Sequence, residues 1–121
     1  MALAKGNAPS FSLIKNNALK GKGEVIECVV KNGSLEKDGF KKGKKLKFTP
    51  CKLLRREGFI YLVKIRPLKV FAIARIGTLD ANSGKKIVLS VSDEAVKDIA
   101  FASADVEFIG ELVGQRLKLV E

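Results

Sequence analysis

Apolar and polar residues alternate with a period of two over much of this chain. Residues 24–31 place Ile26, Cys28 and Val30 on one side and Val25, Glu27 and Val29 on the other, the pattern of a β-strand. Residues 59–65 put Phe59, Tyr61, Val63 and Ile65 on a shared face. Arg66-Pro67 interrupts the run, because proline has no N–H to give to a central ladder. The alternation resumes over 68–76, with Leu68, Val70, Ala72, Ala74 and Ile76 opposite Lys69, Phe71, Ile73 and Arg75. Further short strands are expected at 10–15, 46–48, 85–91, 106–112 and 115–120, the last with Leu117 and Leu119 pointing inward.

Turn residues fill the gaps between these runs. Asn32-Gly33 is a type I′ hairpin signal, since both central positions of that turn need positive φ, and it predicts a return strand at 34–37. Asp38-Gly39 opens a second turn into residues 40–45, where neighbouring lysines repel and an exposed loop is expected. Glu57-Gly58 predicts a hairpin joining 51–56 to 59–65. Gly21-Lys22-Gly23 reads as a flexible link and 77–84 as a polar loop. One helix is expected, at 91–102. Ser90 or Ser92 would cap it, Asp93 would complete a capping box with Ser90, and Val96, Ile99, Ala100 and Ser103 recur at helical spacing.

About eight short strands and one late α-helix predict a mainly β, single-domain barrel or sandwich spanning 10–121, after a loosely ordered N-terminus at 1–9. An oligonucleotide-binding barrel is the natural analogue, although the helix of that fold lies earlier in the chain than the one expected here. A length of 121 residues and 46% apolar content suit one domain with its own core.

Charge changes the picture. The formal net charge is +10, and it is unevenly placed. Residues 1–88 hold twenty bases against six acids, whereas residues 89–121 hold three bases against seven acids. Residues 41–69 contain eleven bases and the single acid Glu57. Such clustering points to a polyanionic partner.

Other chemistry is sparse. With no histidine, Ser-His and Cys-His nucleophile pairs are excluded. Cys28 and Cys51 alone cannot build the usual zinc site, and both read as buried thiols of a reducing compartment. Neither a cofactor nor a metal is expected. Asp93 and Glu94 are adjacent and diverge on a helix, so they do not form a catalytic pair there. The loop Gly39-Phe40-Lys41-Lys42-Gly43-Lys44-Lys45 departs from a phosphate-binding loop in glycine spacing and in lacking Ser or Thr after the lysine. The most apolar stretch, 59–76, is broken by Lys64, Arg66, Pro67, Lys69 and Arg75, so no membrane span is expected, and the first residues lack the apolar core of a signal peptide. A location in the cytoplasm or within a virion follows as an expectation.

Together these features predict a nucleic-acid-binding protein rather than an enzyme. It would take single strands with little sequence preference, through a basic β-surface carrying aromatic rings. The candidate residues are Lys41, Lys42, Lys44, Lys45, Lys47, Lys52, Arg55, Arg56, Lys64 and Arg66, with Tyr61 as a platform for base stacking. Phe40, Phe48 and Phe59 lie among them. The alternative is a structural subunit of a virion, tail or ribonucleoprotein particle, a homo-oligomer in which the basic body of one copy meets the acidic end of the next.

Overall fold

The computed structural model describes residues 12–14, 20–22, 25–82 and 84–113. The chain is mainly β. Nine strands are described: β1 (Ser12–Ile14), β2 (Lys20–Lys22), β3 (Val25–Val29), β4 (Lys45–Pro50), β5 (Ile60–Ile65), β6 (Val70–Ala81), β7 (Gly84–Ser90), β8 (Ile99–Ala102) and β9 (Val106–Leu112). All pair antiparallel in one sheet of order β2-β3-β4-β9-β5-β6-β7-β8, with β1 added on β6. Among the described residues β2 and β8 do not pair with each other, so the sheet is not closed into a barrel.

β5 organises the sheet. It pairs with β6 on one edge and β9 on the other, and it is buried on both faces. Tyr61, Val63 and Ile65 join Ala72, Ala74, Ile76, Ile87, Leu89 and Val106 in one cluster, which Phe59 and Val96 complete. Ile60 and Leu62 point the other way, with Phe71, Ile73, Cys28, Val30, Leu46, Phe48 and Leu112. A strand covered on both sides must be apolar at nearly every position, which is why 59–63 reads Phe-Ile-Tyr-Leu-Val. Each large side chain so buried contributes about 1.5–3 kcal/mol. The long strand β6 pairs with β5 over 70–75. Its opposite edge takes β1 at 71–73 and then β7 at 75–81.

The alternation expected at 24–31 is present over 25–30, with Cys28 and Val30 buried. That at 59–65 is present with both sides buried. The run expected at 68–76 begins only at Val70, because Arg66–Leu68 form a 3-10 turn and Leu68 is exposed. Five local expectations are corrected. Residues 34–37 are not a return strand. Gly33–Asp38 form a 3-10 helix in which the Asn32 side chain accepts a hydrogen bond from the Ser34 N–H at 2.9 Å, and Leu35 is driven into the second cluster. Asn at that position caps as readily as it turns, and burial of Leu35 decides between the two. Residues 51–56 are an irregular segment, not a strand, because the neighbour of β5 is β9 and not the chain just before it. Residues 77–81 extend β6, leaving only a tight turn before Gly84. Lys20–Lys22 are a strand, not a link.

The α-helix expected at 91–102 is absent, and no α-helix occurs among the described residues. The Asp93 side chain accepts from the Ala95 N–H at 3.0 Å, and the Val96 N–H donates to the Asp93 carbonyl. These local bonds form a turn that places Val96 in the first cluster. Residues 99–102 then pair with β7. The strand predicted at 115–120 and the loose N-terminus predicted at 1–9 lie outside the described residues.

Candidate nucleic-acid interface

β4 sets the direction of the basic surface. Leu46 and Phe48 are buried, so the intervening Lys45 and Lys47 lie on the opposite, exposed side. At one end of the strand a turn carries Lys41, Lys42 and Lys44. It is held to β3 by Gly43 N–H to the Val30 carbonyl and Val30 N–H to the Lys44 carbonyl, both 2.9 Å. Gly43 sits at φ 91°, a conformation that side chains with a Cβ rarely adopt, which fixes the turn between its lysines. At the other end, past Pro50, Lys52 is exposed. Five residue steps along β4 span roughly 17 Å, so the lysines form a line rather than a knot. Among the described residues Lys41, Lys42, Lys44, Lys45, Lys47 and Lys52 enter no ion pair.

The segment at 51–58 is fastened beneath this line. The Tyr61 hydroxyl accepts the backbone N–H of Arg55 at 2.9 Å and of Arg56 at 3.0 Å, and it donates to Glu111 Oε2 at 3.5 Å. Strand register brings these groups together, since Tyr61 lies opposite Glu111 across β5 and β9. Glu111 also pairs with Arg55 at 3.8 Å. Further along the segment, Glu57 accepts from the Thr78 N–H and hydroxyl on β6. Arg56 lies over the Phe59 ring, 4.9 Å from its centre.

The candidate residues therefore divide. Lys41, Lys42, Lys44, Lys45, Lys47, Lys52 and Arg55 follow β4 and its two flanking segments. Lys64 does not join them. It follows Ile60 and Leu62 on the other face of β5 and packs over the Phe71 ring, its register partner on β6. Arg66 lies beyond the far end of β5, bonded to the Ala104 carbonyl and paired with Glu107 at 3.7 Å. Register places it more than about 20 Å along the strand direction from Lys47.

The aromatic platform is corrected. Tyr61 is 0% exposed, Phe48 0% and Phe59 4%, and Phe40 is half-buried against the second cluster. The Tyr61 ring meets the Phe108 ring edge-on at 5.4 Å and offers no face to a base. Its position is that of an anchor, where the hydroxyl carries the function and the ring is core. Sequence reasoning missed Glu111 for a plain reason: it lies 50 residues from Tyr61, and only pairing of β9 with β5 joins them. It also missed Glu27, which register sets opposite Lys47, so an acid borders the lysine line on β3.

Elsewhere the chemistry is quiet. Burial pushes the Cys28 thiol from 9.0 up to about 12. Cys51, expected to be buried, is free and only half-buried, because 51–56 is an irregular segment rather than a core strand, and its thiol donates to the Leu53 carbonyl. Among the described residues no group of three His, Cys, Asp or Glu side chains is placed to hold a metal ion, and no helix is long and apolar enough to cross a membrane. Comparison with known proteins adds no assignment: no family model matches the chain, and no curated protein matches it in sequence.

Proposed function

We propose that this protein binds nucleic acid along its phosphate backbone, with little regard to sequence. One observation carries the reading: six exposed lysines without ion-pair partners among the described residues, aligned along β4 and its flanking turns. Lysine is a point charge on a flexible stem, suited to phosphate and poorly suited to reading base edges. With the aromatic rings buried, stacking does not contribute to the interface. The absence of an α-helix among the described residues argues against a helix-based major-groove reader, and single strands are the preferred ligand on this reading. On this reading the protein binds and does not catalyse.

The test is titration of a fluorescent oligonucleotide across a salt series. Four or five phosphate contacts give a slope of log K against log salt of roughly −3 for a single strand. Replacing Lys41, Lys42, Lys44 and Lys45 with Gln removes most of that slope and leaves thermal melting unchanged, because these side chains are exposed. Parallel titration of a duplex measures the strand preference. No binding at low salt, or an unchanged slope in the variant, rejects the reading.

A further inference from the structure

The two ends of the sheet differ in chemistry. At one end is β8, Ile-Ala-Phe-Ala, with Ile99 43% exposed and Ala100 and Ala102 also exposed. β8 pairs with β7 on one edge, and among the described residues its other edge is unpaired. Natural edge strands are defended against further pairing by charge, proline or a bulge, and β8 carries neither charge nor proline. Acids outnumber bases in its flanks, however: Asp98 and Glu94 stand before it with the single base Lys97, and Asp105 stands after it. At the other end is β2, Lys20-Gly21-Lys22. β2 pairs with β3, and among the described residues its outer edge is also unpaired.

We propose that copies of this chain join head to tail, the β2 edge of one copy adding antiparallel to the β8 edge of the next. Backbone hydrogen bonds along the two edges supply the pairing. The lysines of β2 meet the acids flanking β8, and this sets the partner: β8 against β8 would place Asp98 and Asp105 of two copies near each other, and β2 against β2 would crowd four lysines. Charge complementarity of this kind fixes orientation as well as attraction. The contact joins unlike surfaces, so it propagates, giving a ring if the rotation closes and a filament if it does not. A contact only three or four residues long is small beside a standard interface. Association is therefore concentration-dependent and weakened by salt, which screens exposed charges.

The experiment is sedimentation velocity on the full chain after nuclease treatment and a high-salt wash, so that no polyanion bridges the copies. The parent forms oligomers that grow with concentration at low salt and revert to monomer at high salt. A variant with Asp98→Lys and Asp105→Lys loses the β8 end, and a variant with Lys20→Glu and Lys22→Glu loses the β2 end. Each alone is monomeric. Mixed in equal amounts they co-assemble in alternation, because the parental β2 of the first pairs with the parental β8 of the second and the altered ends complement each other in turn. A chain carrying all four changes oligomerises again. Amide exchange at 99–102 slows in every oligomer relative to monomer, which reads the edge directly. A parent that stays monomeric at its highest soluble concentration overturns the proposal, as does a mixture that fails to co-assemble or a single-end variant that assembles like the parent. Circular dichroism melts on each variant separate loss of assembly from loss of fold.

Discussion

Arg75 Nε donates to Asp38 Oδ1 at 2.6 Å, and the Asp38 side chain is completely buried. The same carboxylate accepts from the Ser92 N–H at 2.9 Å and the Ser92 hydroxyl at 2.6 Å, while Arg75 also donates to the Gly58 carbonyl. One buried acid thus ties the 3-10 helix, β6 and the segment after β7 into a single unit, with Gly58 joined through Arg75. Its worth lies in being satisfied on both oxygens, since a buried charge that loses its partner is costly.

The Arg75 side chain is a third exposed and can turn to water when its partner is lost. Asp38→Ala is therefore expected to destabilise the protein by about 1–3 kcal/mol, the cost of stranding the donors around a buried acceptor. Denaturant unfolding measures it. Arg75→Ala is expected to act in the same direction, and the double variant to cost less than the two singles together, because the second change removes a charge already stranded. Strict additivity would show that the two residues act independently and that the pair is not the tie described here.

The Tyr61 hydroxyl holds two backbone N–H groups of the basic segment, so Tyr61→Phe isolates its role. Loss of these bonds is expected to cost about 1–2 kcal/mol of stability, to speed amide exchange at Arg55 and Arg56, and to weaken oligonucleotide binding a few-fold by loosening the segment. Tyr61→Ala costs more, about 3–5 kcal/mol, because the ring is core. Exchange at Arg55 and Arg56 unchanged in Tyr61→Phe would remove the hydroxyl from this role. A stacking ring predicts the opposite order for binding, with Phe equivalent to Tyr.

Cys28 makes stability sensitive to alkali. Its thiol is raised by burial to about 12 in the folded protein against 9.0 for the free group. Below pH 9 both states hold the proton and the thiol contributes no pH dependence. Between 9 and 12 only the unfolded chain ionises, so stability falls as pH rises, by about 1.4 kcal/mol per unit from this group. Unfolding titrations of the parent and Cys28→Val over that window are expected to diverge with this slope, the variant falling less. A thiol reagent is expected to label Cys51 in the native protein and Cys28 only after unfolding. Native labelling of Cys28 at the same rate as Cys51 would contradict its burial.

Much of the strand content was legible in the chain because period-two alternation is a local consequence of strand geometry. The sides assigned to Cys28, Val63 and Ala74 needed no knowledge of neighbours. The helix over 91–102 was not legible. Its capping residues and spacing are real local signals, but pairing of Ile99–Ala102 with β7 and burial of Val96 outweigh them, and neither partner lies within a local window. Asn32-Gly33 failed in the same way, since burial of Leu35 converts a hairpin signal into a capped 3-10 helix.

The sequence by itself determined a basic, β-rich chain and the density of charge on 41–69, because composition and periodicity do not depend on folding. Which of those charges face one surface was decided only by the tertiary structure. Register placed Lys45 and Lys47 on the exposed side of β4, sent Lys64 to the opposite face of β5, and engaged Arg66 with Glu107. Tyr61 shows the division most sharply. Its amphipathic ring suits a wet stacking site or a core position with one polar contact, and the residue type is the same for both. Only the arrival of β9 on one side of β5 and of 51–58 above it buries the ring and gives the hydroxyl its three partners. Such contacts join segments far apart in the chain, and no local pattern encodes them.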